Sequence, residues 1–419
     1  MRHSRQNPIS ATTSPFLSGN RSTAVAVIAS LVAIGVIVTI LVRSELIDFL
    51  VYRMGARVLL DGDDIYGQMP PVTDDYVLPF TYPPLSAMLF APLALIPVVL
   101  GKIVFTLVSV AALVVTLRVV LGRIRPDLDG PTSWLVTTIT VGGSLLFEPV
   151  RETVSFGQIN LVLMALVALD VLVKNPKWPR GLLIGLAAAV KLTPIAFLLL
   201  FLIRRDSRTS ATILASAFGF TALAYAVMPE TSVKYWLQTL PDTGRIGASY
   251  FATNQSFKAV VTRFGLPEPV GSILWLIAVA AMLLVAVVAI RRALEQGDLV
   301  LALSANAAAV LLASPVSWSH HWVWVAPALL GVTLATWRAT ESQKLTAIVA
   351  ASALVFLIGP HHLLPTGNDL ELDWAAWQHL LGALYVTVGT GFLLWLAFGR
   401  RASAEPLAPE PLPDAEPSR

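Results

Sequence analysis

The alternation of apolar and polar stretches along the chain predicts a bundle of membrane helices. Apolar runs occupy residues 22–42, 99–121, 132–149, 158–173, 181–203, 210–228, 270–291, 298–314, 322–338, 344–360 and 376–398. Runs of this kind suit the hydrocarbon thickness of a bilayer. The first ends in Leu41-Val42-Arg43-Ser44-Glu45 rather than in a small-residue cleavage site, so it reads as a retained anchor. Polar exceptions fall at particular places. Gln158 and Asn160 open one run, Lys191 and Pro194 interrupt another, and residues 314–322 join two.

Composition agrees with the pattern. Of 419 residues, 56% are hydrophobic and 13% charged, with a mean hydropathy of +0.72, more apolar surface than a water-soluble domain can bury. The absence of cysteine excludes disulfides, thiolate catalysis and thiolate-bound zinc. A net charge of +3 gives no indication of nucleic acid. The distribution of Lys and Arg is more informative, because cytoplasmic loops collect them. If the run 181–203 is a hairpin broken at Lys191-Leu192-Thr193-Pro194, both basic flanks, 174–180 and 204–208, lie on the same side as Arg118, Arg123, Arg291, Arg292 and Arg400.

The resulting expectation is an all-α polytopic protein of the plasma membrane, with about 12 transmembrane helices and both termini cytoplasmic. Residues 1–22 form a cytoplasmic tail, 23–398 a membrane-embedded catalytic domain, and 399–419 a Pro-, Glu- and Ala-rich disordered tail. Three extracytoplasmic loops follow: a large first loop at 44–98, a second at 229–269 and a third at 361–375. Within the first, the short apolar stretch 85–96 is bracketed by prolines and is expected at the interface.

Asp48, just past the first span, is the most informative residue. A carboxylate at a lipid boundary is costly without a partner or a task, so it is either a base or a solvated helix terminator. Gln158, Asn160, Lys191, His320 and His321 all fall at the same ends of their runs as Asp48, which suggests one polar pocket. Each has a structural alternative: Lys191 can snorkel, Gln158 and Asn160 can tie helices together, and His320 and His321 can sit wet beside a Trp belt. His361 and His362 read as solvated, and Asp61, Asp63 and Asp64 as a solvated turn rather than a cation loop. A secondary transporter would share broken helices, but its binding groups would sit near the bilayer centre within paired repeats.

Taken together, Asp48-Phe-Leu-Val-Tyr52-Arg53, Asp61-Gly62-Asp63-Asp64-Ile65-Tyr66, Tyr82-Pro83-Pro84-Leu85, Gly157-Gln158-Ile159-Asn160, Lys191-Leu192-Thr193-Pro194, Asn254-Gln255-Ser256 and Ser317-Trp318-Ser319-His320-His321 resemble the actinobacterial polyprenyl-phosphate-sugar-dependent glycosyltransferases of the GT-C type. The likeness runs from about residue 24 to 398 and is strongest to the mycobacterial α-1,2-mannosyltransferases. It implies a polyprenyl-phosphate-mannose donor, a membrane-embedded glycolipid acceptor of phosphatidylinositol mannoside or lipomannan type, and a catalytic acid in the first outer loop, at the position of Asp48. Arabinofuranosyl transfer from polyprenyl-phosphate arabinose is the alternative within this type.

For an inverting displacement the enzyme needs one base and a cationic cradle for the departing phosphate. Asp48 is assigned the first task; Lys191, His320 and His321, with Arg53, the second. Tyr52, Gln158, Asn160, Asn254 and Gln255 are candidates for sugar and acceptor hydroxyls. Phosphate is already a good leaving group, so neither metal nor cofactor is required. The lipid tail is expected beside residues 85–97.

Overall fold

The computed structural model describes residues 19–73, 77–338 and 343–399. The expected N-terminal tail falls almost wholly outside them, as does the C-terminal tail. Among the described residues the chain is built from helices: α1 (Gly19–Arg43), α2 (Ile47–Leu60), α3 (Pro84–Leu95), α4 (Val98–Ile124), α5 (Gly130–Ser144), α6 (Glu148–Phe156), α7 (Asn160–Leu172), α8 (Leu182–Val190), α9 (Leu198–Arg204), α10 (Ser207–Val227), α11 (Pro229–Lys234), α12 (Phe257–Arg263), α13 (Val270–Glu295), α14 (Leu299–Ala313), α15 (Val325–Arg338), α16 (Gln343–Ile358), α17 (Ala376–Gly382) and α18 (Leu384–Leu394).

Four of these, the Thr23–Arg43 part of α1, α4, α10 and α13, are long and apolar enough to cross a bilayer. Two bent pairs, α6 with α7 and α17 with the α18 segment, raise the number to six among the described residues. Their outward side chains are those of lipid-facing helices: Ile28 and Leu31 on α1, Phe218 on α10, and Leu276 and Leu284 on α13 are all exposed. The chain is a membrane protein.

Local chemistry sets the breaks that matter for the site. α6 stops at Gly157, whose φ of +68° is a left-handed conformation that favours glycine, and the chain turns through 118° into α7. A Cβ at Gly157 would lie 2.7 Å from the Cβ of Phe49, so the turn sits directly on the first turn of α2. α8 ends at Val190 because Pro194 has no N–H for the Val190 carbonyl; a 3₁₀ turn, Thr193–Phe197, follows and leads into α9.

Antiparallel packing makes the segment from α7 to α10 a folded hairpin. Asn160 at the start of α7 meets Lys191 at the end of α8, while the Asp170 carboxylate near the other end of α7 accepts from the Gly181 and Ile184 amides, each at 3.0 Å, and caps α8. The N-terminus of α8 carries partial positive charge, which favours a carboxylate at that place. At the same end Arg180 lies in the fields of Arg204 and Asp206, and Gly181 packs on Thr209. Both basic flanks of the run therefore lie together.

Two apolar cores divide the bundle. One gathers α2, α3, α5 and much of α4, α7 and α8 around Phe49, Tyr52, Phe80 and Leu113. The other joins α9, α13, α14, α15, α16 and α18 around Phe201, Ile290, Leu312 and Tyr385. Phe147, Trp324 and Leu330 pack against both. The interfacial stretch expected at 85–96 is α3, with Pro84 in its first turn, where a missing N–H costs nothing. Its buried Phe90 stacks on Tyr52 at 4.4 Å between ring centroids.

Candidate active site

Asp48 lies in the first turn of α2, and Tyr52 one turn further along the same face. Tyr52 is fully buried and donates to Gln158 Oε1 at 2.9 Å; Tyr82 donates to the same oxygen at 3.0 Å. With its carbonyl oxygen holding two phenols, the Gln158 amide nitrogen is left to donate to the Asp48 carboxylate. Burial pushes the Asp48 carboxyl up to about 6, and the Gln158 hydrogen bond and the charge of Lys191 oppose that rise.

Lys191, at the break after α8, reaches Asn160 Oδ1 at 3.0 Å and His321 Nε2 at 3.4 Å, and lies over the Tyr82 ring at 5.3 Å. An ammonium only donates, so His321 Nε2 accepts and its proton sits on Nδ1. Asn160, Lys191, Thr193, Ser317 and His321 line one cavity with Trp324. Asp48 does not line it; the carboxylate joins the group through Gln158 and the field of Lys191. The fold thus brings together Asp48, Gln158, Asn160, Lys191 and His321 from four separate stretches of the sequence.

Several expected residues have other work. Arg53, expected at a donor phosphate, donates its guanidinium to the Leu93 carbonyl and, at 2.7 Å, to that of Ile96, capping the end of α3. The His320 ring is buried outside the cavity, edge-on to Phe156, while its carbonyl accepts from Thr153 at 2.7 Å and from Asn160 at 3.0 Å. Tyr52, expected at a sugar hydroxyl, has no exposed surface and spends its hydroxyl on Gln158.

Asn254 and Gln255 are likewise fully buried; backbone takes up the Asn254 amide and the Gln255 amide nitrogen, while Gln255 Oε1 has no hydrogen-bond partner among the described residues. Asn254 bridges to Trp318, accepts from the Ser317 amide at 2.9 Å and donates to the Ser249 carbonyl at 2.9 Å; Gln255 Nε2 donates to the Ala252 and Gly382 carbonyls, each at 2.8 Å. They pin the loop after α11 to the turn that carries His320 and His321. Asn254→Ala should therefore lower the thermal unfolding midpoint, by an amount set by stranding buried backbone groups at about 1–3 kcal/mol each. A thermal shift assay checks this; an unchanged midpoint with lost turnover would return Asn254 to the substrate.

The third loop differs from the solvated reading. His361 is buried at 1% exposure beside Glu148, and Asp64 in the first loop pairs with Lys234 on α11. Sequence reasoning did not single out Tyr82, Glu148 or Asp170 for a role. An acid inside or at the edge of an apolar run was the available signal for the last two.

The sequence profile of glycosyltransferase family 87 matches residues 80–315, which includes Tyr82, Gln158, Asn160 and Lys191. The chain is 39% identical over 361 residues to the polyprenol-phosphate-mannose-dependent α-(1-2)-phosphatidylinositol mannoside mannosyltransferase of Mycolicibacterium smegmatis, covering 81% of each chain. It is 37% identical over 357 residues to the protein of the same name from Mycobacterium tuberculosis, covering 81% of this chain and 82% of that one. A polyprenol-phosphate-mannose-dependent α-(1-2)-phosphatidylinositol pentamannoside mannosyltransferase of Mycobacterium tuberculosis is 30% identical over 369 residues, 85% of this chain and 82% of the relative.

Proposed function

Because the chain belongs to glycosyltransferase family 87, we propose that it transfers mannose from a polyprenyl-phosphate-mannose donor to a phosphatidylinositol mannoside-type acceptor in α-1,2 linkage. The observation that carries the reading is the grouping of one hydrogen-bonded carboxylate, Asp48, with the ammonium of Lys191 at the mouth of a broken membrane helix. The relatives that cover four fifths of this chain are named for mannose donors, which favours mannose over arabinose and leaves a transporter without support.

In the proposed reaction the acceptor hydroxyl attacks the anomeric carbon from the face opposite the phosphate. Asp48 takes its proton, with Gln158 holding the carboxylate in place. The bond to the phosphate oxygen breaks, and Lys191 and His321 meet the charge gained by the leaving polyprenyl phosphate. Asn160 positions the ammonium. A β-linked donor gives an α-mannoside by this single inversion.

The finer architecture belongs to the same reading: about 12 membrane helices, counting α8 and α9 as a re-entrant pair, with the site on the extracytoplasmic side. The lipid tail fits better away from residues 85–97. An apolar cavity of about 450 Å³ lies between α14, α15, α16 and α18, and it shares Leu311 and Trp324 with the polar cavity. Val388→Trp, which fills that space, should raise KM for a long-chain donor while sparing a short-chain one, as steady-state assays with both would show. The function itself is tested by offering the purified protein mannose and arabinose donors. Mannosyl transfer is expected, and transfer of arabinose alone would overturn it.

A further inference from the structure

Glu148 begins α6 with no exposed surface, and three elements converge on it. His362 Nε2 lies 2.8 Å and His361 Nε2 3.6 Å from Glu148 Oε1, both from the 3₁₀ turn Pro360–Leu363. The donor atoms of the three residues all lie within 4.8 Å of one another. Ser319 and Tyr385 each donate a hydroxyl to the carboxylate at 2.6 Å. His361 Nε2 is buried and has no hydrogen-bond partner among the described residues.

A simple ion pair accounts for only part of this. A proton on His362 satisfies one ring nitrogen, and 3.6 Å is too long for His361 to share in it. A divalent ion satisfies both rings and the carboxylate together. Tetrahedral bonds of about 2.1 Å place donor atoms about 3.4 Å apart, within the spread seen here. The two hydroxyls would fix the carboxylate as outer-shell partners do, and the 40% exposure of the His362 side chain provides the way in.

We propose that Glu148, His361 and His362 form a structural site for a zinc-class divalent metal ion that ties the turn Pro360–Leu363 to the start of α6. Through Ser319 the same carboxylate steadies the turn bearing His320 and His321, so the ion would brace the site without entering the reaction. The N₂O donor set suits a first-row transition metal better than calcium or magnesium. The proposal does not depend on the donor or acceptor.

The test uses the full chain, purified in detergent without a polyhistidine tag, stripped with chelator, loaded with Zn²⁺ and desalted. Elemental analysis should find one zinc per chain, with a raised thermal midpoint, and Co²⁺ should give a tetrahedral ligand-field spectrum. Glu148→Gln and His361→Gln should each lose the metal and the spectrum, whereas His379→Ala should keep them. Wild-type protein that retains no zinc and gives a featureless Co²⁺ spectrum would overturn the proposal. So would unchanged stoichiometry in both variants.

Discussion

Asp48→Asn should abolish detectable transfer, a loss of at least about 10²- to 10⁴-fold if proton abstraction is its task, while leaving the protein folded. The substitution keeps the shape and the hydrogen bond with Gln158 but removes the basic oxygen. Its effect on stability has a definite sign. Burial holds the folded carboxyl at about 6, above the ordinary carboxylate range. The folded protein therefore binds more protons than the unfolded chain between those values, and stability falls as pH rises through that window. Above it the ionised Asp48 is a net liability to the fold. The neutral amide of the Asp48→Asn variant removes that liability, so its thermal midpoint at neutral pH should equal or exceed that of wild type. Radiolabelled mannose transfer and thermal unfolding of the same preparation measure both; joint loss of fold and activity would assign Asp48 to structure.

Lys191→Met should lower turnover by about 10²- to 10³-fold, the usual consequence of removing a group that meets developing charge. The alkyl stem remains to fill the space between Tyr82 and His321, so folding should survive. A second signature separates this variant from a merely damaged one. Lys191 is one of two influences that hold the Asp48 carboxyl down. Without it the acid limb of the rate profile should move to higher pH. A turnover loss with an unmoved limb would separate Lys191 from Asp48.

Much of this was legible in the chain because bilayer physics leaves few options. The runs at 99–121, 210–228, 270–291 and 298–314 became α4, α10, α13 and α14, since long apolar stretches have little else to do. The break at Lys191 followed from Pro194, a local rule of backbone chemistry. The nearness of Asp48, Gln158, Asn160 and Lys191 followed from their sharing one end of their runs.

What stayed hidden depends on contacts far apart in sequence or on direction around a helix. Arg53 follows Tyr52, but neighbours on a helix point about 100° apart, which carries the guanidinium to the end of α3. Asn254 looks like a substrate amide until its pairing with Trp318 is seen. His361 reads as a loop residue because its burial is created by Glu148 and Tyr385, each from a different helix.

The most direct test of Asp48 as the base is the rate of mannosyl transfer in a single turnover, followed from below to above pH 6. The rate should rise with the ionisation of one group near 6 and then level off, and the rise should vanish in Asp48→Asn. A wild-type rate that is flat across that range, or a variant that retains the same profile, would contradict the assignment.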